Sequence, residues 1–97
     1  MSATPLAGLK VLDLSKVLAG PLCAQYLGDM GAEVVKVESL AEGDETRRWP
    51  PFRIDRDGEP TGTVYLSANR NKRSLALDLR SDDGRAVVHR LAQWADV

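Results

Sequence analysis

The sequence has little of what metal, disulfide or nucleic-acid chemistry requires. Among 97 residues there is one cysteine, Cys23, and one histidine, His89. A lone cysteine closes no internal disulfide, which fits a reducing compartment, and the two residues together are too few for a zinc site. Neither sign of charge dominates: 13 basic residues face 14 acidic ones, for a net charge of -1. That balance argues against a non-specific nucleic-acid binder. No apolar run approaches the ~20 residues of a membrane span. The first residues, Met1 to Pro5, have neither the basic nor the apolar region of a signal peptide. Glycine-rich phosphate loops are missing as well, since neither G-x-G-x-x-G nor G-x-x-x-x-G-K occurs. Nicotinamide dehydrogenases, P-loop enzymes and methyltransferases are disfavoured accordingly. The expectation is a cytoplasmic protein without metal, membrane or nucleic-acid partners.

What is present reads as one small α/β unit. Leu9 to Leu14 form an apolar run suited to a buried strand. The turn Ser15–Gly20 follows, and Pro21 suits a first helical position, where its missing N–H costs nothing. Leu22, Cys23, Tyr26, Leu27 and Met30 recur at helical spacing, which predicts that they form the buried face; Gly31 supplies the stop. Glu33 to Glu38 alternate as a second strand, so strand, helix and strand make a right-handed βαβ unit. Residues 39–68 show no period and read as a long irregular loop, with a short helical turn near Tyr65–Ala68. Ser74–Leu79 is the third expected strand, with Leu75, Leu77 and Leu79 on one face. Ser81 then caps a helix whose apolar stripe is Val87, Val88, Leu91, Trp94 and Ala95. Ala95–Val97 look like the entry to a fourth strand. The fold class expected is Rossmann-like α/β with a mostly parallel sheet, incomplete in residues 1–97.

In such sheets ligands bind beyond the carboxyl ends of the strands. Segments after the three strands, from Ser15, Ser39 and Arg80, project to that edge. The densest cations are Arg70, Lys72 and Arg73, in the basic run Asn69–Arg73. A cationic cluster in a neutral chain suggests an anion site, and Arg suits phosphates through its bidentate fork. Taken singly, each cation also reads as a solvated surface charge. Asp13 and Asp78 fall in expected strands and read as hydrogen-bond partners of nearby loops. Cys23 reads as buried and inert, and His89 has no catalytic partner.

Four stretches together resemble one enzyme family: Leu6–Pro21, Leu27–Glu38, Gly43–Arg47 and Asn69–Ser74. They are similar, in order, to the family III CoA-transferases, also called the CaiB/BaiF family. The resemblance implies transfer of coenzyme A from an acyl-CoA to a carboxylic acid through an aspartyl-CoA thioester, in an interlocked homodimer. It implies that Leu18 and Ala19 line the CoA site, that Ser39 lies near the nucleotide end, and that Leu77, Asp78, Leu79 and Arg80 flank adenosine and phosphates. Some members carry Gln where this chain has Leu18, and Arg where it has Ser39. Arg80 or the Arg47–Arg48 pair is then expected to replace the lost cation. The stretch Asn69–Arg80 is expected to form one wall of the nucleotide pocket.

The family's catalytic aspartate lies beyond position 97, so no catalytic residue is assigned here and residues 1–97 alone are expected to be inactive. The words Thr46–Phe52 and Tyr65–Ser67 are similar to those of the dicarboxylate and carnitine-type transferases. An acyl-CoA racemase of the same superfamily is the rival enzyme. A non-catalytic CoA- or nucleotide-binding fragment is the rival outside enzymes.

Overall fold

Three parallel strands carry the fold of this chain, whose computed structural model describes residues 4–54 and 56–97. The leader reading at residues 1–3 lies outside them, as does Asp55 within the 39–68 segment. Strand β1 (Lys10–Asp13) leads through a turn into helix α1 (Ala19–Asp29), and β2 (Glu33–Ser39) follows. A 3₁₀ turn (Glu45–Arg48), β3 (Phe52–Ile54), β4 (Pro60–Gly62) and α2 (Thr63–Ala68) precede β5 (Lys72–Leu77) and α3 (Asp82–Trp94). The main sheet has the order β1-β2-β5, both pairs parallel, with Val11 opposite Val34 and Val34 opposite Lys72. The α/β class and the parallel βαβ unit thus stand as expected.

Successive residues of a strand face opposite sides, and the helices divide accordingly. Helix α1 lies over the face of Val11 and Val34, with Ala24 and Ala32 completing a small core flanked by Leu6, Leu9 and Leu27. Helix α3 lies over the other face, beside Val35 and Leu75, and the Lys10 ammonium sits 6.0 Å from the Trp94 ring. The chain then returns to β1: Asp96 N–H donates to the Lys10 carbonyl at 2.8 Å, and Leu12 N–H donates to Val97 at 2.8 Å. These bonds lie on the edge of β1 away from β2. Residues 96–97 thus occupy the side of β1 where a further strand would pair, and the carboxyl ends of the three strands form the edge at which ligands bind in such sheets.

Helix α1 differs from its reading. It begins at Ala19, so Pro21 is third rather than first; it is still inside the turn whose N–H groups have no helical partner. The buried face is Pro21, Ala24, Gln25 and Gly28, while Cys23, Tyr26 and Met30 are exposed. Small residues win because the helix approaches the sheet closely: a Cβ on Gly28 would lie 3.3 Å from Val34. The stop holds, with Gly31 at φ 106° and its N–H on Gly28, and with Ala32 N–H on Leu27.

Strand β5 is displaced from 74–79 to 72–77. Lys72 and Arg73 take pairing positions because carboxylates neutralise them, whereas Asp78 accepts the Arg80 N–H at 3.0 Å and turns the chain away. Leu79 falls outside the strand and is exposed. The 39–68 segment is not structureless: it folds into the 3₁₀ turn, an antiparallel β3-β4 hairpin and α2. Helix α3 matches its reading. Ser81 Oγ accepts Gly84 N–H at 2.9 Å, and the expected apolar stripe is half-buried.

Candidate functional site

A layer of buried charge lies between α1 and the carboxyl half of the sheet. On the α1 face, β2 passes from Val34 to Lys36 to Glu38, and β1 from Val11 to Asp13. All three charged residues are buried, and burying unpaired charge is costly. The fold answers with partners. Lys36 Nζ donates to Asp44 at 2.8 Å and to Asn69 Oδ1 at 3.0 Å. Lys72 Nζ donates to Asp13 at 2.8 Å, to the Pro21 carbonyl at 2.8 Å and to Asn69 at 2.9 Å. Asp13 also accepts from Ser15 N–H, at 2.9 Å, and from the Ser15 hydroxyl.

Glu38 is the centre of a second cluster. It accepts Asp44 N–H at 2.7 Å, a bidentate fork from Arg47 at 2.7 and 2.6 Å, and the hydroxyls of Ser74 and Tyr65. The Arg47 guanidinium lies 3.9 Å from the Tyr65 ring centre. Burial pushes the Glu38 carboxyl upward, but Arg47, Ser74 and the Asp44 N–H outweigh it and hold it at about 2. Burial pushes the Tyr65 phenol up to about 12. Asp44 is raised by burial and lowered more strongly by Lys36 and Thr46, so it stays below its ordinary value. Burial lowers Lys72, against the opposing pull of Asp13. Among the described residues no buried side-chain nitrogen or oxygen lacks a hydrogen-bond partner.

This network fixes the rim of a cavity of about 700 Å³ at the carboxyl ends of the three strands, within the range of small-molecule sites. Its walls are the β1 turn at Leu14–Lys16, the stretch after β2, and Leu77–Arg80. Ser39, Leu77, Asp78, Leu79 and Arg80 therefore come together on one cavity, while Leu18 and Ala19 stand at the start of α1, outside its lining. The Ser39 hydroxyl accepts from Glu42 and Gly43 N–H, both at 3.2 Å, and so closes its own turn. The Asp78 carbonyl accepts from Ser81, and a Cβ on Gly84 would overlap that carbonyl. Glycine at 84 thus lets α3 start directly under the rim.

The cations distribute differently from their reading. Arg70 pairs with Asp29 at 2.7 Å, Lys72 with Asp13, and Arg73 with Glu33. The basic run is thereby neutralised. It also sits at the amino end of β5, so it forms no part of the cavity wall; only Leu77–Arg80 do. Arg47 is committed to Glu38, and Arg48 reaches Glu42 at 3.6 Å. Of the cavity's cations, Lys16 and Arg80 are without a carboxylate partner among the described residues, whereas Lys36 is held by Asp44. Asp13, Asp78 and Asp96 are likewise occupied: Asp13 by Lys72, Asp78 by its turn, and Asp96 by Lys10 N–H at 2.9 Å. Among the described residues no His, Cys, Asp and Glu group could hold a metal ion, and no helix is long and apolar enough to cross a membrane.

The sequence reading missed Lys36, Glu38 and Asp44. The available signal was the spacing Val34-Lys36-Glu38, which places charge on the same face as the core valine.

The profile of CoA-transferase family III matches residues 6–97. A succinate–glutarate CoA-transferase of Agrobacterium fabrum is 50% identical over 95 residues, covering 96% of this chain and 24% of that protein. A succinyl-CoA:mesaconate CoA-transferase of Haloarcula hispanica is 53% identical over 89 residues, covering 92% and 22%. A CaiB/BaiF family protein of Brucella suis superposes with a TM-score of 0.91 at 50% identity, covering 98% of this chain and 25% of that one. The chain thus spans about a quarter of the length of these relatives.

Proposed function

The chain belongs to CoA-transferase family III, and we propose that the rim at the carboxyl ends of its strands forms part of that family's coenzyme A site. The observation that carries this reading is the cavity flanked by the unpaired cations Lys16 and Arg80 at the carboxyl ends of the three strands. Coenzyme A brings phosphates, an adenine and a long apolar-polar arm. Arg80 offers the phosphates a bidentate partner, while exposed Leu14, Leu40 and Leu79 offer apolar surface to the rest. Leu18 and Ala19, on the turn into α1, would contact the acyl end, and Ser39, Leu77 and Asp78 the nucleotide end. The residues present fit the substrate.

The reaction proposed is movement of coenzyme A from an acyl-CoA to a carboxylic acid. A dicarboxylic acid is favoured, because the similar transferases are named for succinate, glutarate and mesaconate. The same relatives favour transfer over racemisation. In the proposed course an aspartate attacks the donor thioester to give a mixed anhydride and CoA thiolate; the thiolate attacks the aspartyl carbonyl and releases the donor acid, leaving an aspartyl-CoA thioester. The acceptor acid attacks that thioester, and the thiolate then takes the acceptor's acyl group from the second anhydride and frees the aspartate, which divides one difficult exchange into smaller steps. Asp13, Asp78 and Asp96 are each held in structural roles, so the nucleophile is proposed to lie outside residues 1–97, and these residues alone to be inactive. We place residues 1–97 in an N-terminal α/β portion of a cytoplasmic homodimer, to which the exposed Tyr26 and Met30 would lend apolar surface.

Calorimetric titration of the 97-residue chain with coenzyme A tests the site. Binding is expected, and Arg80→Ala should weaken it about tenfold, the loss of one charge-assisted contact. Equal affinity for the variant would reject Arg80 as a phosphate partner.

A further inference from the structure

The turn from β1 into α1 contains an unusual backbone. Val17 has φ 75°, in the left-handed region, where a β-branched side chain is strained. Something outside the turn must hold it there. The holder is Asp44, distant by 27 residues, whose carboxylate accepts the Val17 N–H at 3.2 and 3.4 Å. Asp44 is itself immobilised from four directions. Lys36 Nζ donates to it at 2.8 Å, Thr46 donates from N–H at 3.0 Å and from its hydroxyl at 2.8 Å, and its own N–H is held by Glu38 at 2.7 Å. Lys36 is fixed in turn by Asn69. The chain thus ties three separate segments to one backbone N–H.

The neighbours of Val17 give the tie its meaning. Ser15 and Lys16 line the cavity, and Leu18 and Ala19 begin α1. We infer that Asp44 is a positioning residue: a buried anionic clamp that sets the conformation of Val17 and thereby presents Lys16 on one side, and Leu18 and Ala19 on the other, to the acyl-CoA. The inference rests on the reading of the rim as a coenzyme A site. If Asp44 only capped the 3₁₀ turn through Thr46, Val17 would have no part in it. The Val17 N–H therefore separates a positioning role from a merely structural one.

Two neutral-pair variants test this without leaving a buried charge unpaired. Lys36→Met with Asp44→Asn keeps a carbonyl oxygen for Val17; Lys36→Met with Asp44→Leu removes it. Amide exchange should show the Val17 N–H protected about 100-fold in the parent and in the Asn pair, as for a hydrogen-bonded, part-buried amide. The Leu pair should lose that protection while the amides of β2 keep theirs. Coenzyme A affinity should drop about tenfold in the Leu pair relative to the Asn pair, which rescues it. Equal Val17 protection in the two pairs, or equal affinity, would overturn the inference. Should the parent fail to bind coenzyme A, the cofactor reading falls and the exchange data still decide the clamp. Should the Leu pair fail to fold, a freely exchanging Val17 amide in the parent overturns the clamp and a protected one supports it.

Discussion

Lys72 and Asp13 form an ion pair that bridges β5 and β1 across the intervening β2: Nζ and Oδ2 are 2.8 Å apart, and both side chains are 2% exposed. The pair runs above Val34 and Lys36 and closes the polar layer on the α1 face. Its net contribution is not simply its Coulomb energy, because both ions lost their hydration. Breaking it on one side is another matter. Lys72→Met leaves Asp13 buried with only Ser15 for company and should lower stability by about 3 kcal/mol in urea denaturation. Adding Asp13→Asn should recover part of that loss. A double variant no more stable than the single one would show that the pair is not the relevant link.

Glu38 gives the chain a defined acid sensitivity. Its folded value near 2 lies below the ordinary 4.5, so the stabilisation is complete above about 4.5 and fades as pH falls toward 2. With the Glu38 side chain 3% exposed but Arg47 36% exposed, solvent screening reduces the effect to the order of 2 kcal/mol. Arg47→Met should be the less stable protein at pH 7, and the two stabilities should converge as the pH is lowered toward 2. A constant gap across that window, measured by urea midpoints, would contradict the assignment.

Gly84 is predicted to be intolerant of the smallest substitution. A Cβ there meets the Asp78 backbone rather than a flexible side chain, so α3 or the turn above it must move. Gly84→Ala should cost about 1–3 kcal/mol and also weaken coenzyme A binding, because Asp78–Arg80 form the rim. Loss of stability with unchanged affinity would uncouple α3 from the site.

The exposed thiol is a simple check on the orientation of α1. With Cys23 exposed, the native 97-residue chain should react with a thiol reagent at the rate of an unfolded control, to within about a factor of ten. A protected thiol that reacts only in denaturant would restore the apolar-face reading of this helix.

Much of the architecture was legible in the sequence because it depends on local rules. The βαβ unit, the Gly31 stop, the Ser81 cap and the α3 stripe follow from periodicity and capping, and the relevant residues act within a few positions of each other. The segments from Ser15, Ser39 and Arg80 follow from the rule that loops after parallel strands meet at one edge, whereas Leu77–Leu79 were reached through family resemblance. What escaped was non-local. Lys72 reads as a loop cation until Asp13, 59 residues away, is seen to neutralise it. Helix α1 follows its larger apolar residues on a helical wheel, yet the face it buries is Pro21, Ala24, Gln25 and Gly28. Lys36 and Glu38 look like solvent positions in an alternating strand, although their partners come from Asp44, Asn69 and Arg47. Pairing across such distances leaves no period in the sequence.

The most direct test of the central claim is amide chemical-shift mapping of the 97-residue chain during titration with coenzyme A. Saturating shifts are expected at Ser15–Ala19, Ser39 and Leu77–Arg80, with Arg70–Arg73 unaffected because those residues sit at the amino end of β5 and their cations are already paired with Asp29, Asp13 and Glu33. Shifts confined to the Asn69–Arg73 run, or no saturating shift at the carboxyl-end rim, would contradict it.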